Sequence, residues 1–331
     1  MFGKKIPRRV KYRAAIVGAG RIGSFFDNPK TKEILTHAHA YKIHPKIDLI
    51  GFFDTDRRSA IFSAKKWSCT AFRNLEEMFG NKGIDIVSVC TPDKDHFPTL
   101  MKLIQYKPRL VVCEKPLTDN LQKTKEILKL YGEEKIPLLV NYSRRFDKNV
   151  QSLKRDIQKS RYGKVLLAVG IYTKGILHNG SHLIDLVRYL FGEVRSFEAL
   201  YSISDHKKGD VSVAGFLKFE RCPQFYLTVG DERKYSIFEL DILLEKRRLR
   251  FFDSGLFLST QTMERDPLFK GFYSLGKPVI HKTSLTKALL ALINNAINHL
   301  EYGEPLICDM EEAFKTEKIC QSLLKNWRNQ K

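Results

Sequence analysis

Short apolar runs alternate with helical patterns over the first 143 residues of the chain. The runs are rich in β-branched residues, as expected of strands covered by helices on both faces, and they are Ala14–Gly18, Ile47–Asp54, Ile84–Cys90, Leu110–Glu114 and Pro137–Tyr142. Helical periodicity is clearest from Asn120 to Tyr131, with Gly132 as its predicted stop. This alternation predicts an α/β fold with a parallel, doubly wound sheet.

The pattern changes after about residue 150. A polar helix is predicted over 149–160, a second over Ser181–Phe191 ending at Gly192, and two more at the end of the chain, 284–300 and 309–327. Strand-like runs with few helices between them predict a largely antiparallel open sheet, and they are 165–173, 197–203, 211–220, 224–229, 236–243 and 247–252. We therefore predict two domains, 1–143 and 144–331, and the C-terminal helix could pack back on the first.

Composition narrows the class of protein. The net charge is +20, which fits either a solvated basic surface or attraction of an acidic small molecule; because the basic residues are dispersed, we do not expect nucleic acid as a partner. No run approaches the ~20 apolar residues of a membrane span, so no membrane partner is expected either. The six cysteines form no CxxC pair, which is typical of a reducing compartment and predicts a cytoplasmic protein.

A glycine-rich turn follows the first predicted strand directly. In Gly18-Ala19-Gly20-Arg21-Ile22-Gly23, the glycines would allow a tight turn, close approach of a pyrophosphate and close packing of helix against strand. The second strand ends at Asp54, whose carboxylate can accept hydrogen bonds from ribose hydroxyls and repel the extra phosphate of NADP. The context predicts a site for NAD, with NADP as the less favoured alternative because Arg57 and Arg58 follow closely.

The segment between the glycines and Asp54 is long. Asp54 lies 31 residues beyond Gly23, against about 20 in the simple fingerprint. Pro29 is expected to break the first helix, and a second helix is expected to begin near Thr36. His37 and His39 point to different faces of that helix, so we interpret them as surface or packing residues and not as a metal pair.

Further candidate residues follow other predicted strands, at the edge where open α/β sheets bind ligands. Thr91, Pro92 and His96 follow the third strand, and Glu114-Lys115-Pro116 ends the fourth. Arg144 and Arg145 follow the last strand of the first domain and could bind an anionic group.

Together with Tyr162-Gly163-Lys164 and the His182-x-x-Asp185 helix, these motifs resemble the Gfo/Idh/MocA family, named for glucose–fructose oxidoreductase, inositol dehydrogenase and a rhizopine-catabolism protein. The resemblance covers nearly the whole chain. It implies a Rossmann domain followed by an α/β domain whose open sheet forms contacts in a homodimer or homotetramer. It also implies that Thr91, Pro92, His96 and Glu114 lie at the cofactor.

By the same resemblance, Lys115 contacts nicotinamide and substrate, where an ammonium can polarise a hydroxyl and share its proton. His182 corresponds to the histidine of the family's Asp-x3-His pair and is a candidate proton relay. His178 stands where the family has aspartate, so a group that can donate replaces one that only accepts. His178 and Asn179 are predicted to contact substrate.

Two more residues complete the candidate site. Asp185 could orient the His182 ring or pair with Arg188, and Arg145 is the predicted anion contact. A metal site on His178, His182 and Asp185 would require the helix to include residue 178, whereas Gly180 and Ser181 indicate a later start, so no metal is predicted.

These residues predict an NAD-dependent dehydrogenase or reductase acting on CH–OH groups. It would transfer a hydride between nicotinamide and a secondary alcohol or ketone of a sugar, amino sugar or nucleotide sugar. Two alternatives stay open: a catalytically silent NAD-binding regulator of the same fold, and a lyase or glycosidase that uses NAD transiently.

Overall fold

The computed structural model describes residues 11–80 and 83–329. The chain divides into two compact units. The first is made of the chain up to Asn141 together with Leu289–Glu311, and the second of Tyr142–Ala288 together with the chain from Glu312 onward. The chain therefore returns to the first unit near its end, and the predicted boundary at 143/144 stays a prediction.

The secondary structure consists of strands and helices in both units. The strands are β1 Tyr12–Val17, β2 Ile47–Phe53, β3 Thr70–Ala71, β4 Ile86–Val89, β5 Leu110–Cys113, β6 Leu138–Val140, β7 Val165–Tyr172, β8 Val194–Ile203, β9 Ser212–Phe219, β10 Phe225–Val229, β11 Phe238–Leu244, β12 Arg247–Phe252, β13 Phe257–Arg265, β14 Tyr273–Leu275 and β15 Val279–Lys282. The α-helices are α1 His37–Ile43, α2 Arg57–Trp67, α3 Leu75–Gly80, α4 Asp93–Ile104, α5 Leu121–Glu133, α6 Lys148–Gln158, α7 Ser181–Phe191, α8 Ala288–Tyr302 and α9 Met310–Asn329.

The first unit contains a six-stranded sheet in the order β3-β2-β1-β4-β5-β6. Every neighbouring pair in it is parallel. β4, β5 and β6 are buried along their whole length, as their continuous apolar runs require. The order is that of a doubly wound Rossmann sheet, which confirms the predicted fold class and brings the ends of β1, β2, β4, β5 and β6 to one edge.

Helix α5 illustrates how local sequence sets an element of this unit. The Asn120 side chain accepts a hydrogen bond from the Gln122 N–H at 2.8 Å, which satisfies one donor at the start of the helix. The prediction that the helix stops before Gly132 is wrong, because the helix runs through this glycine to Glu133. A glycine inside a helix costs only about 1 kcal/mol, which the buried Ile127 and Tyr131 offset by packing.

The second unit is built on a nine-stranded sheet in the order β14-β13-β12-β11-β7-β10-β9-β8, with β15 beside β13. Its pairs are antiparallel except β7 with β10, which confirms a largely antiparallel sheet. Side chains of the sheet, α6 and α7 share one hydrophobic core. Strands β13 to β15 were not predicted from the sequence. Along the described chain, no helix is long and apolar enough to cross a membrane.

Candidate active site

The three glycines of the loop after β1 have different surroundings. Gly18 has φ +99°, and a Cβ there would lie 2.5 Å from the carbonyl carbon of Cys90. At Gly23 a Cβ would lie 2.3 Å from the Gly18 carbonyl oxygen, whereas at Gly20 it would meet no atom within 4 Å. Packing therefore requires glycine at positions 18 and 23, whereas Gly20 leaves the backbone open to the approach of a phosphate group.

The chain after this loop does not form a long α-helix. Arg21–Phe25 is a π-helical turn, in which the N–H groups of Ser24 and Phe25 both donate to the Gly20 carbonyl oxygen. Arg21 is exposed and Ile22 is half-buried. The expectation of a new helix near Thr36 is confirmed, since α1 begins at His37 and the Thr36 hydroxyl accepts a hydrogen bond from the His39 N–H. The first helical turn ends at Phe25, before Pro29, so the expected break at Pro29 is not what ends it.

Asp54 follows β2 and is fixed by backbone groups. One carboxylate oxygen accepts a hydrogen bond from the Ala19 N–H at 2.6 Å, and the other accepts from the Asp56 N–H at 2.8 Å. The carboxylate is thereby tied to the glycine loop. Arg57 is exposed, and one of its guanidinium nitrogens donates to the Phe72 carbonyl oxygen at 2.7 Å.

A cavity of about 320 Å³ lies beside these groups, and its lining includes Gly18, Asp54, Thr91, Pro92 and Lys102. The Thr91 hydroxyl is buried and, within the part of the chain that the structure describes, has no hydrogen-bond partner. An unsatisfied buried hydroxyl is costly. The open backbone at Gly20, the fixed Asp54 carboxylate and this hydroxyl all fit a bound dinucleotide.

His96 differs from its predicted role at the cofactor. Its ring is fully buried, with Nδ1 2.6 Å from the Pro116 carbonyl oxygen and Nε2 2.9 Å from that of Thr91. A side chain with no exposed surface cannot touch a ligand in this conformation. His96 instead joins the loop after β4 to the loop after β5.

Glu114, at the end of β5, accepts two hydrogen bonds on the same carboxylate oxygen. His37 Nε2 lies 2.8 Å from Oε1, and the Asn141 amide nitrogen lies 2.6 Å from it. Burial alone would raise the pKa of Glu114, but the His37 hydrogen bond and charge, followed by Asn141 and Lys115, outweigh burial and lower it. Glu114 is therefore a carboxylate at neutral pH, directly before the half-buried Lys115.

The two histidines of α1 are not surface residues, and that part of the earlier interpretation is wrong. His37 and His39 are both buried. The His39 ring packs on Trp67 with centroids 5.5 Å apart and contacts the Asp27 carboxylate at 2.9 Å. His39 is thus a packing residue, whereas His37 reaches Glu114, a contact that the sequence did not predict.

In the second unit, His178 lies in a π-helical turn, Gly175–Gly180, and α7 begins after it at Ser181 as predicted. The Asp210 carboxylate holds this turn by accepting hydrogen bonds from the N–H groups of Leu177 and His178 at 2.8 and 3.1 Å. The His178 ring lies 5.1 Å from that of His206. Sequence reasoning missed Asp210 and His206, which are 32 and 28 residues further along the chain.

His182 and Asn179 are half-buried. The His182 ring meets the Tyr142 ring edge-on, with centroids 5.8 Å apart. Within the second unit, His178, Asn179 and His182 lie at the junction of the π-helical turn and α7. The pKa of Asp210, which holds this turn, is raised by burial, and the N–H groups that donate to it, with His206 and Lys207, only partly offset that rise.

Asp185 and Arg145 form a buried ion pair with each other. The guanidinium donates to both carboxylate oxygens at 2.7 to 3.1 Å, and Thr316 donates to Asp185 at 3.0 Å. Asp185 thus pairs with Arg145 and not with Arg188, whose guanidinium bonds elsewhere. Direct contact of Asp185 or Arg145 with a substrate stays a prediction that their burial does not favour.

Arg144, the neighbouring arginine, is held against the sheet of the second unit. Its guanidinium carbon lies 3.6 Å from the centroid of the Phe238 ring, and it donates to the Ser254 carbonyl oxygen at 3.1 Å. Burial lowers the pKa of Arg144 to about 10.

Over residues 11–80 and 83–329, no group of three or more histidine, cysteine, aspartate or glutamate side chains could hold a metal ion.

The parallel sheet, the glycine loop and the Asp54 carboxylate define the first unit as a dinucleotide-binding domain. Residues 12–142 match the Gfo/Idh/MocA model, described as an oxidoreductase family with an NAD-binding Rossmann fold. This match covers less than half of the chain. It shows the NAD-binding Rossmann fold of that oxidoreductase family in the first unit and gives NAD as the cofactor class.

Known proteins extend the likeness. Inositol 2-dehydrogenase of Rhizobium meliloti is 25% identical over 199 residues, which cover 55% of this chain and 55% of the relative, so the aligned part spans about half the length of that relative. Two solved structures share the fold along nearly the whole chain. The UDP-N-acetylglucosamine 3-dehydrogenase of Acidithiobacillus ferrooxidans has a TM-score of 0.72 at 17% identity, covering 96% of this chain and 98% of its own. The WlbA dehydrogenase of Bordetella pertussis, solved with NADH and UDP-GlcNAcA, has a TM-score of 0.75 at 18% identity, covering 97% and 98%.

Proposed function

We propose that this chain is an NAD-dependent oxidoreductase that transfers a hydride between nicotinamide and a secondary alcohol or ketone of a sugar-like substrate. The observation that carries the proposal is the Asp54 carboxylate, bound to the Ala19 N–H at 2.6 Å and lining the cavity beside the glycine loop. A carboxylate at this point accepts hydrogen bonds from ribose hydroxyls and repels a 2′-phosphate, because both groups are negatively charged. The Asp54 carboxylate therefore favours NAD over NADP, and the exposed Arg57 and Arg58 keep NADP as the alternative to test.

The chain's own residues would serve the reaction in separate ways. Bound NAD supplies the hydride acceptor or donor. Lys115, which follows the ionised Glu114, would hold the substrate oxygen and share a proton with it. His182 is the proposed proton relay, a role that histidine can fill near neutral pH. His178 and Asn179 are the proposed substrate contacts.

The substrate class is inferred from relatives and from charge. A relative is named an inositol 2-dehydrogenase, and two proteins of the same fold are a UDP-N-acetylglucosamine 3-dehydrogenase and a dehydrogenase solved with UDP-GlcNAcA. A net charge of +20 attracts anionic ligands. We therefore place nucleotide sugars and acidic sugars first among the substrates to test, followed by neutral polyols.

The proposal is tested by thermal unfolding with NADH and NADPH at matched concentrations, followed by a turnover screen in which NADH is formed or consumed. A ligand at about 100 times its Kd adds about 2.7 kcal/mol to the free energy of unfolding. We expect the larger rise with NADH, and turnover of at least one sugar. No rise with either nucleotide, in protein shown by denaturing release to carry none, would overturn the cofactor site.

The same screen separates the rival functions. The first rival is a regulator that binds NAD without turnover, because His178 stands where the family has an aspartate at the substrate. NADH binding with no turnover of any sugar or polyol would support that rival. Cleavage or elimination of a substrate with no net change in NADH would support a lyase or glycosidase that uses NAD transiently.

We further propose a cytoplasmic location and a homodimer or homotetramer. In the part of the chain that the structure describes, the six cysteines form no disulfide, which suits a reducing compartment. Leu166, Leu200, Tyr201 and Tyr226 are large apolar side chains on the second unit's sheet that are exposed in the single chain. Apolar surface of this kind is typical of contacts between subunits, and the mass in solution checks it.

A further inference from the structure

His37 is the first residue of α1 and is fully buried. Both nitrogens of its ring have polar partners within the first unit. Nδ1 lies 2.9 Å from the Ser88 hydroxyl on β4, and Nε2 lies 2.8 Å from the Glu114 carboxylate at the end of β5. The ring therefore connects a buried hydroxyl to the carboxylate that precedes Lys115.

The direction of these hydrogen bonds follows from the chemistry of their ends. An ionised carboxylate only accepts, so His37 Nε2 carries the hydrogen. Burial raises the pKa of Tyr41 well above its usual value, so its phenol stays protonated and can donate to the Ser88 hydroxyl, 2.6 Å away. Ser88 can then donate to His37 Nδ1. With the hydrogen on Nε2, every contact from Tyr41 to Glu114 has a donor and an acceptor.

The segment before α1 is built to place this ring. The buried Asp27 carboxylate accepts hydrogen bonds from the N–H groups of Leu35 and Thr36 and from the Thr36 hydroxyl, at 2.5 to 3.1 Å. His39 contacts the same carboxylate at 2.9 Å. Hydrogen bonds to the Asp27 carboxylate therefore hold the segment from Asp27 to His39 in one conformation. This conformation fixes the position from which His37 extends towards Glu114.

A buried polar chain of this length is costly unless each member is satisfied. An apolar side chain at position 37 would fill the same space without that requirement. This series of hydrogen bonds ends at a carboxylate that a ligand can approach, because the Glu114 side chain keeps 14% of its surface exposed and Lys115 follows it. Its energetic cost and its end point both indicate more than packing.

We propose that His37 is a positioning residue for Lys115, acting through the Glu114 carboxylate that it holds in one orientation. The inference rests on the proposed function, in which Lys115 holds the substrate oxygen. A fixed negative charge next to Lys115 favours its ammonium form, which is the form that can polarise an oxygen. Among the described residues, the Asn141 amide and the buried Cys90 thiol also lie beside Glu114. Burial raises the pKa of that thiol, so it adds no charge.

A matched pair of amides tests this role. His37→Gln places an amide N–H near the position of Nε2 and can still donate to Glu114. His37→Asn is shorter, keeps a polar group near Ser88 and cannot reach the carboxylate. The readout is the rate at which Lys115 is acetylated by acetic anhydride as a function of pH, measured by peptide mass spectrometry on the full chain. Exposed Lys129 on α5 serves as the internal reference.

We expect the midpoint of Lys115 labelling to fall by about half a unit to one unit in His37→Asn, and to stay near wild type in His37→Gln. Glu114→Gln, which removes the charge itself, should give the largest fall, of about one unit or more. This third variant also keeps the test decisive if His37→Asn does not fold. Equal behaviour of the two His37 variants, or no response of Lys115 to Glu114→Gln, would overturn the inference.

The labelling needs neither nucleotide nor substrate, so the two proposals can fail separately. If wild-type protein does not bind NADH, the proposed function falls and the labelling still reports on the network. If NADH binds and Lys115 does not respond, only the role of His37 falls. Thermal unfolding of each variant shows whether a change in labelling reflects a loss of fold.

Discussion

Each unit of this protein buries a polar network, and the two networks end differently. In the first unit the hydrogen bonds run from Tyr41 through Ser88 and His37 to Glu114. The last member is a partly exposed carboxylate beside Lys115. In the second unit, Arg145 and Asp185 bind each other with side chains only 2% and 1% exposed, and Thr316 and Glu312 complete the set.

The difference separates two uses of buried charge. In the second unit the partly exposed carboxylate, Glu312, is itself paired with Arg145, Arg188 and Lys315. The charges of this closed network therefore balance one another and contribute to one folded state. A network that ends at an accessible group can set the charge and orientation of that group. Position in the sequence does not distinguish them, because Glu114 and Arg145 both follow strands of the same parallel sheet.

The largest effect is expected from opening the closed network. Arg145→Met should lower the free energy of unfolding by about 3–5 kcal/mol, because it leaves Asp185 as a buried charge without its main partner. Urea unfolding measures this, followed by the fluorescence of Trp67 and Trp327, one in each unit. The control is Arg195→Met, which breaks a pair with Glu220 whose arginine is 69% exposed and should cost less than about 1 kcal/mol. Equal losses in the two variants would show that the buried pair has no special role.

The same contrast between open and closed surroundings applies within the glycine loop. Gly20→Val adds a side chain where no atom lies within 4 Å and should keep the fold while weakening NADH binding about a hundredfold, or about 2.8 kcal/mol. Gly23→Ala places a Cβ 2.3 Å from a backbone oxygen and should destabilise the protein itself.

Thermal midpoints and NADH titrations of the two variants separate these effects. Gly132→Ala, at an open position in α5, is the control. It should leave NADH affinity unchanged and raise the thermal midpoint slightly, because glycine inside a helix costs about 1 kcal/mol relative to alanine. NADH affinity unchanged in Gly20→Val would mean that the dinucleotide does not approach this loop.

Local signals account for the parts of the fold that the sequence predicted. The bounds predicted for α7, Ser181–Phe191, are those observed, because an apolar periodicity and a stop at Gly192, with φ +86°, are both local. Strands β13 to β15 were missed although they pair with sequence neighbours. Their side chains are mostly exposed, so no apolar run marks them.

The candidate site divides in the same way. The glycine loop and Asp54 could be predicted because the glycines form a local motif directly after one apolar run and Asp54 ends the next. His37 is 77 residues from Glu114, and Asp185 is 40 residues from Arg145, so neither pairing has a local signal. Helical spacing suggested that Asp185 faces His182 or Arg188, but spacing does not reveal which face of a helix is buried.

A smaller effect is expected at Asp54, which lines the cavity and is held only by backbone N–H groups among the contacts described. Asp54→Asn keeps the shape and removes the charge, so the preference for NADH over NADPH should fall about tenfold, within the range for hydrogen bonds to charged groups. Titration of both nucleotides into both proteins gives the ratio of the two Kd values. An unchanged ratio would show that another group selects between the nucleotides.

The smallest effect concerns Glu312, which closes the second network at its more exposed end. Burial would raise its pKa, but Lys315, Arg145 and Arg188 outweigh burial and lower it from 4.5 to about 2. A carboxyl whose pKa is lower in the folded state stabilises the protein above its unfolded pKa, and this stabilisation is lost as the pH falls from about 4.5 towards 2.

Glu312→Gln should therefore unfold at a lower temperature than wild type near neutral pH, and the gap should narrow as the pH falls below about 4.5. Thermal midpoints at a series of pH values measure the gap, and Glu220→Gln, in the exposed pair with Arg195, is the matched control. The gap should be smaller than the loss in Arg145→Met, because Glu312 keeps 30% of its side chain exposed and solvent screens its charge. A gap that stays constant from neutral pH to pH values below about 4 would mean that Glu312 acts through packing and that its charge is not part of the closed network.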